Sequence, residues 1–521
     1  MSYLGPELNM ENFSWAVLLL VPIYVIVHFV RNYFALRGRD FPGPCLAKFT
    51  NFWRLRAVYR GNFEHVLYDL HLKHGDVVRI GPRCLSISNP AAIEGIYGVK
   101  TDFKKSDYYN VMQAVENGKI IPTLVTTKEK SGHAALKRPI ASAFNMSSMM
   151  KYEPFVDDTI VTLVKKLNEK FVVEDLPCEI HKWIQYFAFD VTGELTFSRP
   201  FGFLQQGKDV GGQIQSVVQA FVYFGVVGQI PIIDYYLTKH PIINRLMKIK
   251  NPYIDAATAK LQERMEESEV IKDNNRQDLV SQFLEAKEKH PGKVTDQELI
   301  GYVMTMLIAG SDTSSVGLRA MVYFLAKYPD VQRRLQVELD SVGNLKFPVA
   351  WKETQNMPYL DAVIKESLRV HPGGSVIQER VAPETGYQLP DGRFVPAGTI
   401  VGIAGWNISR RKEFYGDDVD TFNPDRWLRG ATESEELYQI RLGGMKKADM
   451  TFSHGPRVCI GKNIALMEAY KLIATIFGLF EVRLENPDKE WTVTSATMMS
   501  QSDMDVRFEW RQGHSVIDLG R

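Results

Sequence analysis

Cys459 is where the residue types and spacing of this chain first suggest chemistry. It lies in the run Phe452-Ser453-His454-Gly455-Pro456-Arg457-Val458-Cys459-Ile460-Gly461. An amphipathic helical pattern, Asn463 to Phe477, follows directly. Free amides and the dipole at a helix start stabilise a thiolate. Gly455 and Gly461 permit a tight loop and the close approach of a flat ligand. Arg457 adds a fixed positive charge suited to a carboxylate on a cofactor. A thiolate so placed could be an axial ligand that pushes electron density onto haem iron and favours O–O cleavage. The plainer alternative is a buried cysteine in a glycine-rich turn.

A second constellation is Ala309-Gly310-Ser311-Asp312-Thr313-Ser314-Ser315. An acid beside an alcohol supplies a proton path, and two small residues leave room beside the backbone. The alternative is a helix crossing that needs small residues. Gly is a poor interior helix former, and consecutive Ser/Thr hydroxyls bond back to carbonyls one turn earlier. A bulge or kink is therefore predicted here. A third set is Glu366 and Arg369 at i, i+3, with Arg426 in Phe422-Asn423-Pro424-Asp425-Arg426-Trp427. A bidentate Arg–Glu contact and a second arginine would lock a loop to a helix.

These residues need long elements to hold them. Thr295 and Glu298 form a capping box. From them an apolar stretch runs to about Lys327, a helix of ~48 Å. The pattern from 147 to 340 is mostly helical, with a polar break at Asp273 to Arg276. Residues 76–90 read as a hairpin around Gly81-Pro82, and 376–406 and 480–510 as short strands. Strands contributed by both halves of the chain argue for one body.

The chain has 521 residues, with 62 Lys and Arg against 61 Asp and Glu. That balance gives no global argument for nucleic-acid binding. The four cysteines are far apart, which disfavours a disulfide framework or structural zinc and fits a reducing compartment. Phe13 to Val30 holds no charged residue and spans ~27 Å as a helix, enough for one thin bilayer crossing. Glu7 and Glu11 precede it, while Arg31, Arg37 and Arg39 follow, which places the carboxy-terminal side in the cytosol. Phe41-Pro42-Gly43-Pro44 then makes a stiff break. Val217 to Ile233 is apolar but interrupted by Gly225, Gly228 and Pro231, so it reads as core helix ends or as a surface dipping into a membrane.

The motifs together resemble those of the cytochrome P-450 superfamily, the haem-thiolate monooxygenases. The cysteine-loop pattern is matched by Phe452, Gly455, Arg457, Cys459 and Gly461, the central-helix motif by Ala309, Gly310, Asp312 and Thr313, and the Glu-x-x-Arg motif by Glu366 and Arg369. Arg426 stands in a Pro-Asp-Arg-Trp run where the family usually has Pro-Glu-Arg-Phe. His133 and Lys137 take the places of the family's Trp and Arg on a haem-facing helix, with Arg138 as the rival to Lys137. The stretches from His133 and from Arg380 to Trp427 are similar to the pisatin-demethylase-like class of fungal enzymes, tied mostly to secondary metabolism.

The resemblance implies a mainly α fold with a smaller β portion and a long central helix over haem. It implies a lumenal tail at 1–12, a transmembrane anchor at 13–30, a basic, proline-rich hinge at 31–44 and a cytosolic catalytic domain at 45–521. The cofactor implied is heme b, iron protoporphyrin IX, with Cys459 as its iron ligand. His133, Lys137, Arg380 and Arg457 would anchor its propionates, and Phe452 and Gly310 would border it. Asp312 and Thr313 would deliver protons while O2 is cleaved and one oxygen atom enters an apolar substrate. Electrons would come from a membrane-bound NADPH–cytochrome P-450 reductase, since the chain has no flavin domain. A docking patch for it could comprise Lys446, Lys447, Arg457 and Lys462. The location implied is the endoplasmic reticulum membrane, single-pass, so the sequons at Asn145 and Asn407 would stay unglycosylated. Substrate contacts are expected from Ser106 to Gln113, 215–233, Met304 to Ala309, Gly373 to Val376 and Thr497 to Met499. Two rivals are a haem isomerase or dehydratase that needs no reductase, and a haem or lipid binder without turnover. The acid–alcohol pair argues against the first, and the motifs for oxygen activation and thiolate ligation together argue against the second.

Overall fold

Helix α1 (Met10–Phe34) carries the apolar amino-terminal run and leaves large side chains bare, with Tyr24 70% and Ile26 61% exposed. Its last carbonyls, at Asn32 and Tyr33, accept hydrogen bonds from the buried guanidinium of Arg79, an arginine cap on the helix end. The computed structural model describes residues 10–36, 41–116, 118–240, 242–243, 252–270, 278–516 and 519. The expected tail with Glu7, the side chains of 13–19 and 21, the basic residues Arg37 and Arg39, and the polar break at 273–276 lie outside them. The proline break lies against the body of the protein. Pro42 O accepts from Arg79 N at 2.7 Å, and a β-carbon at Gly43 would collide with the Arg79 carbonyl.

After helix α2 (Phe52–Tyr59), strands β1 (Val77–Gly81) and β2 (Cys84–Ile87) form the predicted antiparallel hairpin. β3 (Lys104–Lys105), β4 (Arg380–Val381) and β5 (Ile400–Ile403) complete a five-stranded sheet in the order β1-β2-β5-β4-β3. The register pairs Lys105 with Arg380, Val401 with Arg380, and Val401 with Leu85. Both halves of the chain thus build one sheet.

The helical body holds α3 (Lys130–Ile140), α4 (Ile180–Phe197), α5 (Gln213–Val227), α6 (Asp296–Ala309), α7 (Asp312–Lys327), α8 (Pro358–Val370) and α9 (Lys462–Leu479). The predicted long helix is two helices, α6 and α7, broken at Gly310-Ser311. The capping box at Thr295 starts α6 as expected: Gln297 N donates to Thr295 Oγ1, and Thr295 N donates to Glu298 at 2.9 Å. α7 packs on α4, α8 and α9, so it is central. The helix after the cysteine is not amphipathic: every residue from Met467 to Leu479 is buried. Even Lys471 is 0% exposed, paired with Glu153 and Asp157. Packing from several sides replaced the solvent face that the polar residues suggested.

The window Val210–Val227 is apolar enough to cross a membrane, with mean hydropathy 1.3. Left-handed backbone at Gly211 and Gly212 (φ 65° and 69°) starts the continuous helix only at Gln213. The 15 residues of α5 reach ~22 Å, short of a bilayer core.

Candidate active site

Cys459 sits between a one-turn 3-10 segment (Gly455–Arg457) and α9, and its side chain faces a cavity of about 430 Å³. Its N–H donates to Phe452 O at 2.9 Å, which closes the loop. Burial pushes the thiol up, while the amides of Gly461 and Lys462 and the charges of Lys137 and Lys462 pull it down. A metal at Sγ would deprotonate it outright. Gly455 has φ 69°, and a β-carbon there would collide with the Tyr97 carbonyl. Close backbone packing therefore requires this glycine; approach of a ligand does not enter. Gly461 is the nearer to sulfur, its β-carbon position 3.9 Å from Cys459 Sγ.

One wall of the cavity is cationic. Arg457, Arg380, Lys137 and His133 all line it, as the sequence suggests, and Lys105 joins them. Arg457 is held by the carbonyls of Thr127 and Lys128 at 2.8 and 2.7 Å. Lys137 reaches Pro456 O at 3.1 Å, and Arg380 reaches Glu379 O at 2.9 Å. Among the described residues, no ion pair neutralises Arg457, Arg380, Lys137 or Lys105. Burial, and then the Arg380 charge, lowers Arg457 to about 10 and Lys105 well below its ordinary value. Burial, followed by Arg457 and Lys105, holds His133 neutral, down to about 3. A group carrying two carboxylates fits this wall. Arg138 is exposed, so Lys137 is the residue of that pair that faces the cavity.

The α6–α7 break lines the same cavity as Cys459. Gly310 caps α6 and lines the cavity with Ala309, Thr313 and Ser314. The predicted back-bonding is present: Thr313 Oγ1 donates to Ala309 O at 2.8 Å, and Ser311 and Ser314 donate to Leu307 O and Gly310 O at 3.3 Å. Asp312 departs from expectation. It is absent from the cavity lining and is 5% exposed. Its Oδ1 accepts from Gln185 Nε2 of α4 at 2.7 Å, and Gln185 Oε1 accepts from Arg319 at 2.6 Å. Burial raises its carboxyl, and Arg319 and Gln185 lower it. Helical geometry turns residue 312 about 100° from 313, so adjacent residues face different walls. A direct Asp312–Thr313 relay is therefore not present in this conformation.

Glu366, Arg369 and Arg426 meet as expected, all 9% exposed or less. Arg369 Nε and Nη2 bond the two Glu366 oxygens at 2.8 Å each, and Arg426 Nε bonds Oε1 at 2.8 Å. Trp427 Nε1 adds a fourth contact at 2.9 Å. Glu366 is thus saturated, and the loop after Phe422 is fixed to α8.

Several expectations change. Arg457 turns inward to the cavity wall, so the proposed surface patch keeps only Lys446, Lys447 and Lys462, all exposed. Tyr109, Thr305, Met306, Ala309, Gly373, Gly374 and Met498 line the cavity, but no residue of 215–233 does. Lys105 and Gln185 were not foreseen, because a two-residue strand and a single polar residue in a buried helix leave no periodic signal.

A cysteine at a helix start, a cationic wall for two carboxylates and a small-residue helix break on the same cavity fit a haem-thiolate site. The family model described as Cytochrome P450 matches residues 42–507. The cytochrome P450 monooxygenase vrtE of Penicillium aethiopicum is 37% identical, over 95% of this chain and 94% of its own length. A cytochrome P450 monooxygenase of Aspergillus terreus is 36% identical over 92% of this chain and 98% of its own. Cytochrome P450 monooxygenase cicH of Emericella nidulans is 36% identical over 95% and 99%. The chain belongs to the cytochrome P450 family. It is a monooxygenase that takes heme b, O2 and a small-molecule substrate.

Proposed function

We propose that this P450 oxidises a neutral, apolar molecule in fungal secondary metabolism, drawing electrons from a membrane-bound NADPH reductase. Heme b, when bound, supplies the one-electron and O2 chemistry. Cys459 Sγ would hold its iron, and the Gly461 and Lys462 amides are directed at the sulfur. Lys105, His133, Lys137, Arg380 and Arg457 would bind its two carboxylates, and Phe452 and Gly310, on the same cavity, would border it. Thr313 Oγ1, on the cavity wall, holds a proton that it donates to Ala309 O, and it must leave that carbonyl to deliver the proton to the cavity. Asp312 Oδ1 acts behind it and must leave Gln185 to pass a proton toward the cavity.

The cavity hydroxyls support an apolar substrate. Thr192, Thr305 and Thr313 each donate to a carbonyl one turn back, at 2.9, 2.7 and 2.8 Å. Their protons are spent on the backbone, so shape and apolar contact select the substrate. The bare side chains of α1 support a membrane anchor, with residues 45–521 as a catalytic domain facing the cytosol at the endoplasmic reticulum. In that orientation Asn145, a helix N-cap whose Oδ1 accepts from the Ser148 N–H at 2.8 Å, stays unglycosylated. Exposed Lys446, Lys447 and Lys462 offer an acidic reductase surface a place to dock.

The observation that carries the reading is that Cys459 lines one cavity with Gly310, Thr313 and the cationic residues. Its test is the carbon monoxide difference spectrum of the reduced protein and of Cys459→Ser. The expected result is a strongly red-shifted Soret band that the variant loses. A normal thiolate spectrum in Cys459→Ser would discard the assignment.

A further inference from the structure

We propose that Arg54 is a positioning residue for substrate admission: with Gln229, Glu379 and Ser106 it forms a buried polar latch that holds the end of α5 against the cavity wall. Arg54, on α2, donates from Nε to Gln229 Oε1 at 2.8 Å and from Nη2 to both Gln229 and Glu379. The other Glu379 oxygen accepts from Ser106 Oγ. Gln229 Nε2 is tied back to Gly225 O at 2.8 Å, so the side chain is an extension of the α5 end. All four residues are 3% exposed or less. A second tie lies beside the first. Thr497 Oγ1 donates to Phe221 O at 2.8 Å and accepts from Tyr108 OH at 3.1 Å. Gly225 permits this approach, since a β-carbon there would lie 2.7 Å from the Ala496 backbone.

The latch stands one residue behind the cavity wall at three places. Tyr109 lines the cavity beside Tyr108, Gln378 and Arg380 beside Glu379, and Met498 beside Thr497. On the other side, α5 and the segment after it expose Val222 at 49%, Ile232 at 56% and Leu237 at 54%. The joint therefore separates an apolar outer face, where an apolar molecule gathers, from the chamber that must receive it.

The chemistry of the joint suits a seal that opens. Apolar side chains of the same volume would close it at least as tightly, because a buried ion pair gives little net stability after desolvation. The polar arrangement is satisfied only at one geometry, so a partial displacement leaves buried groups unpaired. Gln229 is the partner able to leave. Its departure takes no charge from Arg54, which keeps Glu379, whereas parting Arg54 from Glu379 would strand two buried charges. We infer that α5 lifts with Gln229 while Arg54, Glu379 and Ser106 stay with the sheet.

The inference rests on haem binding in the cavity and is read from ligand kinetics on the haem-loaded full chain. The probe is 4-phenylimidazole, followed by stopped-flow absorbance. Gln229→Leu is expected to raise the association and dissociation rate constants together by about tenfold, the scale of a hydrogen bond to a charged group, with Kd unchanged. Thr497→Val cuts the second tie without touching Arg54 and is expected to move both rates in the same direction. Rates unchanged within about twofold in both variants, or an altered Kd carried by one rate alone, would overturn the latch. The carbon monoxide spectrum of the unmutated protein judges the haem reading separately. A normal spectrum beside unaltered rates discards the latch alone.

Discussion

Lys105 and Arg380 stand opposite each other across the β3–β4 pair, two buried cations in direct register. Like charges so placed destabilise a sheet. Lys105 also spreads over the Tyr109 ring at 4.2 Å, and Arg380 over Tyr97 at 4.8 Å, which softens the repulsion without cancelling it. The arrangement is favourable once two propionates lie against it.

Lys105→Met is accordingly expected to have opposite effects in two forms of the protein. The haem-free form melts higher, because a like-charge contact is gone. The haem-loaded form gives up haem to apomyoglobin about tenfold faster, the scale of one charged hydrogen bond. Equal loss rates in variant and parent would remove Lys105 from the propionate set.

Thr313→Ala is expected to release more peroxide per NADPH consumed, since Thr313 puts a hydroxyl on the cavity wall at the α6–α7 break. Asp312→Asn is expected to slow turnover by ~10²-fold, the lower end for a lost proton donor. Its substrate-binding spectrum stays unchanged, because the side chain is outside the lining. Unaltered coupling and rate in both variants would leave neither residue in the proton path.

The Glu366 cluster predicts a graded series in stability. Trp427→Phe removes one of its hydrogen bonds and costs ~1–2 kcal/mol. Glu366→Gln leaves Arg369 buried without its carboxylate and Arg426 with Asp418 alone, and costs ~3–5 kcal/mol. Urea melts with haem content as a second readout order the two. Equal losses would mean that the cluster is a packing feature and not a charge lock.

Much of this site was legible because its signals are local. Cys459 lies next to a helix start, Glu366 and Arg369 share one helical face, and the Ser/Thr run declares its own distortion. What was lost depends on tertiary register. Lys105 reaches the cavity through a strand of two residues, and only its pairing with β4 places it. Asp312 and Thr313 are neighbours in sequence, yet the turn of the helix gives them different walls. The polar residues of α9 suggested a solvent face, but each found a buried partner or none: Lys471 pairs with Glu153, and Glu468 leaves Oε2 unpartnered.

Glu468 makes that last case testable by pH. It is 1% exposed, on α9 where it meets Ser314 of α7. Burial pushes its carboxyl up to about 8, against a smaller opposing effect of the Ser314 hydrogen bond. In the unfolded chain the same carboxyl ionises near ~4.3. Between these values the native state carries a proton that the unfolded state lacks, so stability falls as pH rises. The contribution is complete below the unfolded value and gone above the folded one. Glu468→Gln, neutral and of the same shape, removes the dependence. Melting curves of variant and parent are expected to converge near ~pH 4 and to separate with rising pH, the parent losing ~1.4 kcal/mol per unit until its carboxyl ionises. A constant offset across that range would mean that Glu468 is already ionised in the folded protein, held by a partner that its buried position does not reveal.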